Sequence, residues 1–235
     1  MTPNFETYGY YNNQTLTGKT GGNPMTKTKK NSNSFFTRIK RRFGEPKSLG
    51  SQSTNLELAK NRFSSIDQDQ TPYHSPGLTN ILFLSNRGLS RAPLAREVMR
   101  SLLHLSDHFG SVRPSARGIS DAYDLCSFDK RMVQAARKFG YELLGNSRKV
   151  NMAELSSANL IITLDEETEK FVKSRTFYIN GQVRPIGIFL QADAHPYIPD
   201  PFVRESLNTT ANYEQIIRSV EYSCGKLMRY LPSLI

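Results

Sequence analysis

Ser85 and Arg91 stand six residues apart in the stretch "ILFLSNRGLSRAPLAREVMRSLL", Ile81 to Leu103. The residues before Ser85 form a continuous apolar run with the length of a strand buried on both faces. From Pro93 on, Leu94, Ala95, Val98, Met99, Leu102 and Leu103 fall on one helical stripe, with Arg96, Glu97 and Arg100 away from it. A turn from strand into helix leaves several backbone N–H groups without intrahelical partners, and the helix dipole adds partial positive charge there. Such a turn can hold an anion without any special side chain. Arg91 adds a planar fork of donors suited to phosphate oxygens, and Gly88 permits a left-handed backbone in mid-turn. The chemistry implied is phosphate binding by Asn86, Arg87, Gly88, Leu89, Ser90 and Arg91. No metal-ligand cluster accompanies the turn, and no cofactor is expected.

The elements that must position this loop follow from periodicity. A short strand is predicted over Val112 to Ala116, and "DKRMVQAARKFGYEL" reads as a helix ending near Gly140. Asn151 and Glu154 have the spacing of a capping box. "ANLIITLD" is a second buried strand, followed by a charged helix from Glu166 to Lys173, and "VRPIGIFL" reads as a fourth strand. The last helix carries Tyr213, Ile216, Ile217, Val220, Cys224, Leu227, Met228 and Leu231 at helical spacing, where Cys224 serves as a small apolar residue. Strands alternating with helices predict an α/β fold, a three-layer sandwich around a four-stranded parallel sheet. Ligands in such folds bind at the carboxyl ends of strands, where Ser85 sits.

Composition divides the chain. Residues 1–77 are rich in Asn, Ser, Thr, Gly, Gln and Lys and cannot bury enough apolar surface to offset their ordering entropy, so a disordered tail is expected. Residues 78–235 have the size of one compact domain. Of the net charge of +10, the larger part is in the tail, with 11 Lys and Arg against 5 Asp and Glu; the rest of the chain has 20 against 16. Within the tail, "SFFTRIKRRFG" sets Phe35, Ile39 and Phe43 four residues apart among Arg38, Lys40, Arg41 and Arg42. That is a candidate short amphipathic helix over 34–43, which would fold on an acidic protein or an anionic membrane surface; the bland reading is a solvated linker. "NLELAKNRF", Asn55 to Phe63, is a weaker helix candidate. No specific nucleic-acid fold is evident, and contact with nucleic acid would be electrostatic and salt-sensitive. Two cysteines, Cys126 and Cys224, make neither a disulfide framework nor a structural zinc site. With no apolar run of membrane-spanning length and no signal-peptide core, a cytoplasmic protein is expected, with the tail as a candidate contact to a membrane or large assembly.

The loop, its following Pro93 and a second motif, "IPDPFVRES", together resemble the low-molecular-weight protein tyrosine phosphatases. In that resemblance Ser85 falls on the nucleophilic cysteine, Arg91 on the phosphate-binding arginine and Asp200 on the aspartate that protonates the leaving oxygen. Phe202 falls on one aromatic wall of the pocket, and Tyr123, in "PSARGISDAY", on the opposite wall. The resemblance covers about Asn80 to Leu231.

Departures from the family pattern cluster at the loop. The family's loop usually reads Cys-x-Gly-Asn-x-Cys-Arg-Ser; here Arg87 replaces the glycine, Gly88 the asparagine, Ser90 the second cysteine and Ala92 the serine that supports the thiolate. A thiolate is a nucleophile near neutral pH, whereas a serine hydroxyl needs a base, and no His or Lys stands in either motif. Gly88 is expected to leave the loop less tied, and Arg87 either adds affinity or swings inward and occupies the site. Asp200 either keeps a general-acid position or holds its loop. The resemblance therefore implies a catalytically impaired phosphatase-like protein that binds phosphate or a phosphorylated protein. The alternatives are a weakly active phosphatase, or an assembly protein with a vestigial pocket and a functional tail. Thioredoxin-coupled arsenate reductases share the fold but need redox cysteines that Cys126 and Cys224 do not supply. His104 and His108, four apart, are a weak metal-site candidate lacking a third ligand, and His195, five before Asp200, is a weak candidate for ligand contact.

Overall fold

The computed structural model of the chain describes residues 77–190, 195–202 and 209–234. The basic tail, including the helix candidates at 34–43 and 55–63, lies outside the described residues. Nine regular elements follow one another among them: β1 (Thr79–Ser85), α1 (Arg91–Leu103), β2 (Val112–Gly118), α2 (Lys130–Lys138), α3 (Met152–Ser157), β3 (Leu160–Thr163), α4 (Glu166–Lys173), β4 (Gln182–Pro185) and α5 (Thr210–Leu234). The four strands form one parallel sheet in the order β2-β1-β3-β4. β1 is therefore central, and its last residue, Ser85, pairs with Gly118 of β2.

Alternation along a doubly buried strand explains the three layers. Ile81 and Phe83 of β1, with Leu160 and Ile162 of β3, face one core with Leu94, Val98 and Met99 of α1 and Ile217 and Val220 of α5. Leu82, Leu84 and Ile161 face the other, against Val150, Leu155 and Val172. Both faces of the central strands are thus apolar, which is why the sequence shows runs and not alternation. α5 packs chiefly on α1 and α2. Cys224 is buried in that contact, and burial pushes its thiol up, consistent with an inert packing residue.

Local signals set the helix ends. Asn151 accepts from the Glu154 N–H while Glu154 accepts from the Asn151 N–H, the capping box expected from the sequence. α2 is stopped just past its C-cap Phe139 by Gly140, whose φ of +89° a side chain would strain. Pro93, at the third position of α1, costs no hydrogen bond because first-turn N–H groups have no intrahelical acceptor.

The fourth strand differs from expectation. Only Gln182–Pro185 pairs with β3, and Ile186–Phe189 turns into a 3-10 helix. β3 ends at Thr163, so residues beyond Pro185 have no strand to pair with. The Gly187 N–H instead donates to the Pro196 carbonyl at 2.8 Å. A Cβ on Gly187 would come within 2.3 Å of Pro196 backbone atoms, so this close approach brings the segment leading to Asp200 back onto the sheet edge. β2 runs to Gly118, beyond the expected Ala116. Because Phe83 is fully buried in the central strand, Phe83→Ala is expected to lower unfolding free energy by about 3–5 kcal/mol, read from urea denaturation followed by circular dichroism.

Candidate functional site

Three connections, following β1, β3 and β4, converge at the carboxyl end of the sheet. The first is the loop Asn86–Ser90 between β1 and α1. Ser85, 2% exposed, accepts a hydrogen bond from the Gly88 N–H at 3.2 Å. Ser90 precedes α1 but makes no side-chain cap, and its hydroxyl instead reaches Asp129 Oδ2 at 3.4 Å. The start of α1 consequently has no side-chain acceptor of its own over it. Among the described residues no hydrogen bond links Ser85 to a His, a Lys or a carboxylate.

The loop is held more firmly than a missing asparagine suggests. Gly88 adopts φ +68°, and a Cβ there would lie 2.5 Å from Ser147 Oγ and 2.7 Å from the Gly118 N. No side chain, asparagine included, fits this backbone contact. Other residues hold the loop instead: Ser147 Oγ donates to the Arg87 carbonyl at 2.9 Å, the Ile119 N–H to the Asn86 carbonyl at 3.0 Å and the Asp129 N–H to the Leu89 carbonyl at 3.0 Å. The expectation of a loosely tied loop is thereby corrected.

The second connection, from β3 into α4, supplies Asp165, which the sequence reading missed. Its Oδ1 caps α4 by accepting from the Thr168 N–H at 2.9 Å. Its Oδ2 accepts both from the Asn86 N–H and from Arg91 Nη2, each at 2.9 Å. An Asp at the end of an apolar run, three residues before Thr, is a legible N-cap signal; its second role, across the sheet, is not.

The third connection carries Asp200. Its Oδ2 lies 2.9 Å from the same Arg91 Nη2, and its Oδ1 accepts from the Phe202 N–H at 3.0 Å. Arg91, 3% exposed, completes its bonding by donating from Nη1 to the Ile198 carbonyl at 2.8 Å. The two carboxylates and the arginine thus meet at one guanidinium edge. Asp200 holds its own loop and pairs with the arginine at the end of the first one.

Above them, Tyr123 and Phe202 share a partner. The Arg87 guanidinium carbon lies 5.4 Å from the Tyr123 ring centroid and 4.8 Å from that of Phe202. Leu89 is half-buried and contributes its carbonyl. Among the described residues the histidine candidates make no hydrogen bond or ring contact with this cluster. His104 packs edge-on to Phe109, and the exposed His195 is 3.2 Å from the Tyr197 N–H it accepts from. Among the described residues no three His, Cys, Asp or Glu side chains are grouped to hold a metal ion.

A family model described as "Low molecular weight phosphotyrosine protein phosphatase" matches residues 80–233, most of the chain. The chain belongs to this family. Among relatives of the phosphatase family, a putative low molecular weight protein-tyrosine-phosphatase of Synechocystis is 22% identical over 153 residues, 64% of this chain and 95% of the relative. The structure of YfkJ from Bacillus subtilis superposes with a TM-score of 0.60 at 18% identity, covering 68% of this chain and 98% of that one. A cysteine-to-serine mutant of the YwlE arginine phosphatase with a phosphorylated active-site serine gives a TM-score of 0.55 at 18% identity, covering 66% and 96%. At these identities the structural likeness establishes the fold: an α/β phosphatase-family domain with a four-stranded parallel sheet.

The loop bearing Asp200 is anchored to α4 by Tyr197, whose hydroxyl donates to Glu169. Lys173 first, then Tyr197, hold the Glu169 carboxyl below its usual 4.5. Its contribution is therefore full above that value and is lost as pH falls below it. Burial first, then Glu169, pushes the Tyr197 hydroxyl up to about 12, so its contribution is full below pH 10 and is lost between 10 and about 12. Tyr197→Phe removes this bond. It is expected to speed amide exchange at Ile198 roughly fivefold to tenfold near neutral pH, as loss of a bond of about 1–1.5 kcal/mol would. Unchanged exchange would show that the loop is anchored elsewhere.

Proposed function

We propose that this family member binds phosphate, as orthophosphate or a phosphomonoester on a protein, at the Ser85–Arg91 loop without efficient hydrolysis. The observation that supports it most directly is the pairing of a well-held anion cradle with a buried hydroxyl that has no base. The loop is braced by Asp165, Ser147 and Gly118, and Arg91 is held at its end by two carboxylates. These are the parts that bind. The part that reacts in the family, a thiolate, is here a neutral hydroxyl donated to by Gly88. Ala92, fully buried, offers no hydroxyl to assist.

Binding has a built-in competitor. Asp200 faces the same guanidinium edge that a phosphate oxygen would take. An arriving dianion must displace that carboxylate from Arg91 or meet it in protonated form. In the second case Asp200 would serve as donor to an ester oxygen, its position in the family pattern.

A second reading, slow phosphoryl transfer that stops halfway, is favoured by that same placement of Asp200. Ser85 Oγ would form a bond to phosphorus while the ester P–O bond breaks. The ester oxygen would take the Asp200 proton, and the Ser85 proton would pass to a phosphate oxygen. The product would be a seryl phosphate, whose alkoxide is a poor leaving group for the hydrolytic step. The phosphorylated active-site serine of the YwlE mutant is a precedent for that end point on this fold. The basic tail, with Phe35–Phe43, would bring the domain to an anionic partner; among the described residues no helix is long and apolar enough to cross a membrane.

Calorimetry with orthophosphate and turnover of acetyl phosphate test the reading together. The wild-type chain is expected to bind orthophosphate and to turn acetyl phosphate over at background rate. Arg91→Lys keeps a cation but loses the fork, and should weaken orthophosphate about tenfold. Asp200→Asn should tighten it about tenfold, a fraction of the roughly 4 kcal/mol between like charges at ~4 Å in an effective dielectric near 20. Ser85→Cys should restore measurable turnover. Sustained wild-type turnover abolished in Ser85→Ala would overturn the binding reading. A stoichiometric phosphate adduct on Ser85 by mass spectrometry would establish the second one.

A further inference from the structure

The fate of Arg87 decides what this site accepts, and its backbone leaves the side chain little freedom of origin. Its carbonyl is held by Ser147 Oγ, and its neighbours by Asp165 on one side and by Ser85 and Gly118 on the other. From that fixed point the side chain lies between Tyr123 and Phe202, within cation–π distance of both rings. Its guanidinium makes no hydrogen bond or ion pair with the described residues. What it engages is two aromatic faces. Phe202 is in turn fixed over the loop, since its N–H donates to Asp200, which pairs with Arg91. Arg87 thus covers ring faces of both Tyr123 and Phe202 beside the loop.

We propose that Arg87 is the specificity-determining residue of this site. Occupying the slot between Tyr123 and Phe202, it admits orthophosphate and small alkyl phosphomonoesters and excludes aryl phosphates, phosphotyrosine among them. The inference rests on the phosphate-binding reading above and narrows its ligand class. The physical ground is competition for the same two ring faces. A ligand's aryl group would have to stack where the guanidinium stacks, and the guanidinium is tethered. A tethered group acts at an effective concentration on the order of millimolar, so a ligand's ring must first displace it. A compact phosphate leaves the Arg87 guanidinium on the two rings, and it gains a cation at the rim of its pocket. The glycine that the family pattern has at this position would leave the slot open, so one substitution both closes the pocket to rings and adds charge.

Calorimetry of the full chain with orthophosphate and with phenyl phosphate, at one fixed salt concentration, tests the proposal. Wild type is expected to bind orthophosphate at least tenfold more tightly than phenyl phosphate. Arg87→Ala is expected to shift that ratio at least tenfold toward phenyl phosphate, with an unchanged thermal melt as the folding control. A second readout needs no stable Arg87 variant. In the wild-type chain the Arg87 side-chain NMR resonances should be displaced upfield by the two ring currents, and should return toward ordinary arginine positions when phenyl phosphate saturates the site. Orthophosphate binding with an equal wild-type affinity for phenyl phosphate, or with a ratio that Arg87→Ala does not move, would overturn this inference alone. Unshifted Arg87 resonances would do the same. Absence of orthophosphate binding in both proteins would overturn the phosphate-binding reading with it.

Discussion

The buried guanidinium of Arg91 is the contact on which the site depends. One nitrogen holds Asp165 and Asp200, and the other the carbonyl of Ile198, so two further connections are tied to the end of one loop. A single cation between two carboxylates in a mostly buried setting is a demanding arrangement. Removing it would leave two carboxylates facing each other without water to screen them. The same property makes it useful. Arg91 is held in one orientation at the end of the loop, and in the proposed reading a phosphate would take the place of one carboxylate on it.

In the proposed reading, that arrangement would separate binding from reaction. The backbone N–H groups, the helix start and Arg91 do not depend on the residue at position 85. Reaction would depend on the acidity of that residue. A serine hydroxyl is far less acidic than a thiol, and among the described residues no His, Lys or carboxylate hydrogen-bonds to it. The loop's own braces have also been exchanged: Gly88 packs on Gly118 where no side chain fits, and Ser147 anchors the adjacent carbonyl. The cradle is thus stabilised by contacts that do not require a catalytic cysteine.

Much of the fold was legible because its signals are local or periodic. The apolar runs of β1 and β3, the stripe on α5 and the capping box at Asn151 each lie within a few turns of chain, and each appears where the spacing placed it. The fourth strand was read too long because Ile186 to Leu190 has strand-like residues but no partner beyond Thr163, a fact about β3 and not about its own composition. Asp165 was passed over for a similar reason. Its cap on α4 is local, but its bonds to Asn86 and Arg91 span the sheet and leave no mark in the nearby residues.

The sequence by itself determined the alternation of strands and helices and the loop with a serine at position 85 and Arg91 at its ends. These depend on residue type and on spacing within single elements. Only the tertiary structure decided that Asp165 and Asp200 share Arg91, that Gly88 is required by Gly118, and that Arg87 lies between Tyr123 and Phe202. Each of those joins residues brought together by the packing of parallel strands, where one strand's end faces another's loop. Whether Arg87 opens the pocket or fills it was open from the sequence for that reason: the answer depends on two rings, one 36 and the other 115 positions farther along the chain.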